Sequence, residues 1–209
     1  MSESIALNID CMEYMATLPD NAFDLAIVDP PYGISITDSG RLGKYNANGK
    51  RWDDYTPKAE YFSELRRVSK NQIIWGGNYF DLPATRCFLI WDKKQPEDVS
   101  FASCEFAWTS FEASAKTFYY SPLQQKDKRF HPTQKPIELL RWCIEDIAER
   151  NMERVNTVLD LFGGSGSTLI ACEQLGRTCY MMELDPKYCD VIIKRYENLT
   201  GEKAVLING

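Results

Sequence analysis

The sequence predicts an α/β protein built on a doubly wound, mostly parallel sheet. Three observations lead there. Short apolar, β-prone runs alternate with helical patterns along the chain. The glycine-rich run "LDLFGGSGST" (Leu159 to Thr168) stands between one apolar run and a helix. The stiff turn "DPPYG" (Asp29 to Gly33) closes another apolar run, at the strand end where such sheets bind ligands.

Taken in order, "IALNID" and "FDLAIVD" read as short buried strands, with a helical turn around "CMEYMATLPD" between them. "PKAEYFSELRRVSK" opens with Pro57 and sets Tyr61, Leu65 and Val68 at helical spacing. Three β-prone runs follow: "QIIWGGN", "CFLIWDK" and "EFAWTSF". "PIELLRWCIEDIAER" starts with proline at the first helical position and aligns Ile137, Leu140, Ile144 and Ile147 on one face. "NTVLDLFGGSGSTLIACEQLG" reads as strand, glycine loop and helix, "RTCYMMELD" as a strand, and "PKYCDVIIKRYENL" as a closing helix. Residues 34–55, 93–103 and 121–131 are left as irregular segments. The first exceeds the roughly 15 residues that a structureless connection normally spans, which marks it as functional or mobile.

The 209 residues suffice for one domain over residues 1–209 with a real core and no staples. No apolar run reaches membrane-spanning length and the first ten residues lack signal-peptide order, so a soluble cytoplasmic protein is expected. Seven cysteines without a C-x-x-C pair read as small reduced hydrophobes, and no metal site is expected. A single histidine, His131, excludes sites that need several imidazoles. The net charge of −6 disfavours nucleic acid in the bulk, yet Arg41, Lys44, Lys50 and Arg51 cluster without an acid among them. Those four suit phosphate contacts from the loop 34–55.

In the glycine loop, Gly163, Gly164 and Gly166 allow close approach of backbone to ligand and a tight helix start. One strand later, Glu183 ends "YMME", placed to accept hydrogen bonds from ribose hydroxyls. The spacing G-G-S-G-S-T lacks the last glycine of a dinucleotide fingerprint and the lysine of a phosphate loop. S-adenosylmethionine, which carries no phosphate, is the remaining common nucleoside.

The prolines of "DPPYG" hold Asp29 and Pro30 extended and add no N–H donors, leaving a carboxylate and a carbonyl as rigid acceptors. Tyr32 adds a flat ring behind them. An exocyclic amino group on a heterocycle needs this pairing, because its lone pair is delocalised into the ring. Two acceptors on its hydrogens favour a pyramidal, nucleophilic nitrogen, and Asp29 can share the proton released.

"DPPYG" together with "LDLFGGSGST" and "HPTQKP" resembles the amino-methylating DNA methyltransferases, which act on adenine N6 or cytosine N4. The order, catalytic motif first and cofactor loop last, resembles their β class, a circular permutation of the Rossmann-like class I methyltransferase fold. "IIWGGNYF", "IWDK" and "EFAWTSF" are similar to small phage and prophage members. The resemblance implies that Asp29, Pro30 and Tyr32 grip and stack a flipped base. It implies that Phe162, Gly163, Gly164, Ser165, Gly166 and Thr168 form the S-adenosylmethionine loop, with Glu183 on the ribose and Asp10 on the adenine. Thr133 and Lys135 fall at the methionine end, where Lys135 is placed to meet the cofactor's carboxylate; His131 orients the turn. Enzymes acting on cytosine N4 more often carry Ser in place of Asp29, so adenine in DNA is the expected target and cytosine N4 the alternative. Protein glutamine and RNA methyltransferases, or a non-catalytic binding module, are the more distant readings. No separate target-recognition domain fits between the motifs, so the loop 34–55 is expected to contact DNA, and a homodimer is a candidate for sharing recognition. Restriction protection, regulation and phage evasion all suit such an enzyme.

Overall fold

The computed structural model describes residues 3–34, 53–96, 102–124, 129–131 and 133–206. The basic cluster Arg41, Lys44, Lys50 and Arg51 lies outside them. Among the described residues the chain runs β1 (Ile5–Leu7), α1 (Cys11–Ala16), β2 (Phe23–Val28), α2 (Ala59–Val68), β3 (Ser69–Trp75), β4 (Phe88–Asp92), β5 (Cys104–Thr109) and β6 (Lys116–Tyr119). It continues through α3 (Ile137–Trp142), a π-helical stretch (Cys143–Ala148), α4 (Glu149–Asn151), β7 (Thr157–Asp160), α5 (Ser167–Leu175), β8 (Thr178–Met182) and α6 (Pro186–Thr200).

The strands form a sheet ordered β1-β8-β7-β2-β3-β5-β4-β6. From β1 to β3 every pairing is parallel; β5 runs against both β3 and β4, and β6 returns parallel to β4. This bears out the expected mostly parallel α/β sheet. The winding on both faces follows from the period of two along β2. Leu25 and Ile27 point into a core with Leu139 and Ile144 of the α3 region, Ile170 of α5 and Ile192 of α6. Ala26 and Val28 point the other way, into a core with Met15 of α1 and Tyr61, Phe62, Leu65 and Val68 of α2. A strand apolar on both faces belongs at the centre of a parallel sheet, which is where β2 lies.

Three features depart from the sequence reading. The strand β6 was expected as no element; its Lys-Thr-Phe-Tyr sequence is mostly exposed at the sheet edge and shows no apolar run. Pro136 is not the first helical residue but an extended cap (φ −61°, ψ 141°) before α3. The helix that follows widens into the π-helical stretch. Its buried pairs, Leu139 and Leu140, Cys143 and Ile144, Ile147 and Ala148, repeat every four residues. A four-residue repeat overshoots a 3.6-residue turn, and i→i+5 turns bring it back into line over the sheet. No described helix is long and apolar enough to cross a membrane.

Candidate active site

The parallel strands all end on one side of the sheet, and acids follow or close them. Asp29 follows β2, Asp160 is the last residue of β7, Glu183 follows β8, and Asp10 lies just past β1. A cavity of about 770 Å³ opens over these ends, lined by Asp10, Asp29, Tyr32, Lys135, Asp160 and Glu183. Pro30, Thr133, Phe162, Gly163, Gly164, Ser165 and Thr168 also line it. Of the residues singled out from sequence and described here, Gly166 alone is not on its wall. It starts α5 at φ +82°, and a Cβ there would stand 2.9 Å from Ile192 Cγ1, so its role is close packing against α6.

Both oxygens of Asp29 are held from within, each by one donor. Its Oδ1 accepts from the Tyr32 hydroxyl at 2.5 Å and its Oδ2 from Lys135 Nζ at 2.5 Å. Lys135 reaches a second carboxylate, Glu105 of β5, at 3.1 Å, and Lys93 holds the other oxygen of Glu105 at 2.7 Å. The side chain of Lys135 is only 6% exposed whereas Asp29 keeps 27%, so a guest in the cavity meets the carboxylate and not the ammonium. Burial, with Glu105 repelling, raises the Asp29 carboxyl above its ordinary range despite Lys135. Partial burial pushes the Glu105 carboxyl up too, but two ammoniums outweigh this and hold it down at about 2. The same two carboxylates raise Lys135, against the opposing effect of its burial. From sequence Lys135 was directed to a ligand's carboxylate; here its partners are two carboxylates of the protein.

Tyr32 is fixed on every side. Its N–H and that of Gly33 donate to Oδ1 of the buried Asp53, at 2.6 and 3.1 Å. Its ring stacks on Tyr79 with centroids 4.9 Å apart and planes 13° from parallel, and the edge of Phe80 meets it at 6.2 Å. A Cβ on Gly76 (φ +71°) would stand 2.1 Å from its ring, so only glycine lets it lie there. Burial and the adjacent Asp29 keep the phenol well above its ordinary pKa, hence a proton donor.

On the glycine-loop side, Glu183 binds the loop and the start of α6 together. One oxygen accepts from Gly164 N–H and the other from Asp185 N–H, both at 2.7 Å. Asp160 accepts from Phe162 N–H at 3.0 Å. Burial pushes its carboxyl up to about 7, with Asp29 and Glu183 adding repulsion, and none of the described cations pairs with it. Arg195, buried on α6, holds the loop from behind, donating to the Ser165 carbonyl at 2.5 Å and its hydroxyl at 3.1 Å. Asp10 caps α1 by accepting from Met12 and Glu13 N–H, at 2.8 and 3.3 Å. His131 Nδ1 accepts from Thr133 N–H at 3.3 Å, which fits a turn-orienting role. Burial first, then Lys135 and Arg129, depress its pKa to about 4, so the ring is neutral near pH 7.

Sequence reasoning missed Asp53, Glu105, Asp160 and Arg195. For Asp160 a signal was present: "NID", "IVD", "VLD" and "MME" each end an apolar run on an acid, and all four reach the cavity. Glu105 is the single charge within the apolar run of β5. Nothing local marks Asp53 or Arg195, whose partners are 20 or more residues away.

The cavity is thus lined by carboxyl groups, and its two described ammoniums, Lys93 and Lys135, are both paired with them. It suits a cationic or amine-bearing guest and opposes phosphates.

A family model described as "DNA methylase", of the N6/N4 type, matches residues 73–195. A putative methylase, YubD, from Escherichia coli (strain K12) is 30% identical over 199 residues, covering 86% of this chain and 84% of that one. The M1.HpyAVI–SAM complex superposes with a TM-score of 0.59 at 20% identity, covering 93% of this chain and 99% of that one. PvuII DNA methyltransferase (cytosine-N4-specific) superposes with a TM-score of 0.59 at 13% identity, covering 97% and 95%. At those identities the two structures speak for the fold alone. The family match and the long alignment with the methylase concern sequence, and by them this chain belongs to the DNA methylases of the N6/N4 type, the amino-methylating DNA methyltransferases.

Proposed function

We propose that this chain transfers the methyl group of S-adenosylmethionine to the N6 amino group of adenine in DNA, on a base turned out of the duplex. The observation that supports it most is the position of the Asp29 carboxylate. It faces the same cavity as the glycine loop and Glu183, and it is gripped from behind by Tyr32 and Lys135. The carboxyl lining fits the methyl donor, whose sulfonium and amine are cationic; Asp160, buried and paired with none of the described cations, supports this.

When bound, S-adenosylmethionine supplies a methyl group on sulfur that a nucleophile can take. Everything else falls to side chains of this protein. Asp10 and Glu183 hold the nucleoside part of the donor, with Phe162, Gly163, Gly164, Ser165 and Thr168 around it and Gly166 packing the loop. Thr133 lies at the methionine end. Asp29 and the Pro30 carbonyl accept the two amino hydrogens of the base. As the N–C bond forms and the C–S bond breaks, positive charge grows on the amino nitrogen, and Asp29 opposes it and takes the proton. Tyr32 packs against the base; stacking of this kind is worth about 1–3 kcal/mol. Lys135 is assigned to Asp29 rather than to the donor.

Adenine is favoured over cytosine N4 by aspartate at position 29, where enzymes of the second kind more often carry Ser. One catalytic domain over residues 1–209, phosphate contacts from Arg41, Lys44, Lys50 and Arg51, and recognition across a homodimer complete the proposal. The test is incubation with labelled donor and duplex DNA, followed by nucleoside analysis. N6-methyladenine is expected; N4-methylcytosine overturns the adenine assignment, and label only in RNA or protein overturns the substrate. Asp29→Asn is expected to lower the rate by about 10²-fold or more while donor binding by calorimetry persists.

A further inference from the structure

The carboxylate proposed to accept the amino hydrogens has an ammonium 2.5 Å away, and a full ion pair there would neutralise it. Lys135 is buried against the Trp75 ring, with Nζ 5.4 Å from its centroid, and only 6% of its side chain is exposed. A buried ammonium must keep a carboxylate partner. Glu105 offers that partner at 3.1 Å and is itself fixed by Lys93 at 2.7 Å. It stands on β5 opposite Trp91 of β4, the strand that Lys93 follows, so the pair is set by backbone register.

Resting on the function proposed above, we infer that Glu105 is a positioning residue for the transfer: it shares Lys135 with Asp29, so that the ammonium keeps a carboxylate partner when Asp29 turns to receive the amino group. When Asp29 turns to the base, Lys135 stays paired with Glu105. Without Glu105 the base would have to break an ion pair whose cation keeps, among the described residues, no second carboxylate, only the Tyr32 hydroxyl at 3.4 Å. Tyr32, Lys135 and Glu105 face Asp29, and Asp160 acts on it from across the cavity. Lys135 in turn faces His131 and Cys143, neither charged near neutral pH.

The test is Glu105→Gln. Lys135 then belongs to Asp29 alone and the repulsion from Glu105 is gone, so Asp29 becomes a weaker base. The acid limb of the kcat profile is expected to move to lower pH by about one unit, and the plateau kcat to fall about tenfold. Donor affinity should be unchanged. A merely structural role would lower the plateau without moving the limb. Glu105→Gln combined with Lys93→Met, which leaves no unpaired ammonium, should behave in the same way if the single variant folds poorly. An unmoved limb with normal kcat in either variant overturns the inference. Wild-type protein that methylates no amino group of DNA overturns the underlying function instead, so the two failures are distinguishable.

Discussion

Single residues in this site are defined by what they touch, and Gly76 shows how little freedom that leaves. Its left-handed φ of +71° already disfavours a side chain, and the Tyr32 ring occupies the place of its Cβ. Gly76→Ala is therefore expected to cost about 1–3 kcal/mol, read by urea unfolding, and to impair methyl transfer more than donor binding. The loss follows because a displaced Tyr32 can no longer donate its 2.5 Å bond to Asp29. Wild-type transfer in this variant would mean that the Tyr32 position is immaterial. The resemblance read from "DPPYG" indicated a gripping carboxylate and a stacking ring. It gave no sign that the hydroxyl of that ring and the ammonium of Lys135, 106 residues away, hold the carboxylate between them.

Elements supply these residues by ending in the right place. Four parallel strands deliver an acid each to the cavity, and α6 returns across the sheet to brace the glycine loop through Arg195. Hydrogen bonds from charged donors contribute about 1.5–3 kcal/mol each. Arg195→Met removes bonds to Ser165 and Ser167 while leaving every cavity-lining residue in the sequence intact. It is expected to weaken binding of S-adenosylhomocysteine by tenfold or more in a calorimetric titration; unchanged affinity would show that the loop holds its shape alone. The elements themselves were largely legible, because β2, α2, β7 and α5 bury strong apolar patterns. The edge strand β6 was not, since an exposed strand needs no apolar face. Nor was the π-helical stretch, because apolar residues repeating about every four positions read from sequence as an ordinary amphipathic helix.

For the molecule as a whole, the buried acids set opposite trends of stability with pH. Asp160, raised to about 7 in the folded chain, binds its proton more tightly folded than unfolded. Stability of the ligand-free protein should therefore rise as pH falls from about 7 toward 4. Glu105, held at about 2, contributes stability that is complete above its unfolded value near 4.5 and is lost as pH falls toward 2. Urea unfolding across this range should give a maximum in mildly acidic buffer; Asp160→Asn should flatten the neutral side and Glu105→Gln the acid side. In the wild type, a steady loss of stability on acidification would contradict the Asp160 assignment, and a steady gain the Glu105 assignment. The bulk charge of −6 leaves DNA attraction to local clusters. Neutralising Lys44, Lys50 and Arg51 together should reduce the slope of log affinity against log salt by about 0.9 for each phosphate contact removed. An unchanged slope would remove those residues from the DNA contact.

The sequence alone determined the fold class, the order of most elements, the three motifs that meet at the cavity and the family they resemble. Such features are written locally, in the period of apolar residues and in glycines and prolines that restrict the backbone near themselves. Only the tertiary structure decided which charges neutralise one another: that Lys135 sits between Asp29 and Glu105, that Asp53 holds the Tyr32 turn, and that Asp160 is buried with none of the described cations beside it. Coulomb energy depends on distance through space and on burial, and neither is encoded in separation along the chain.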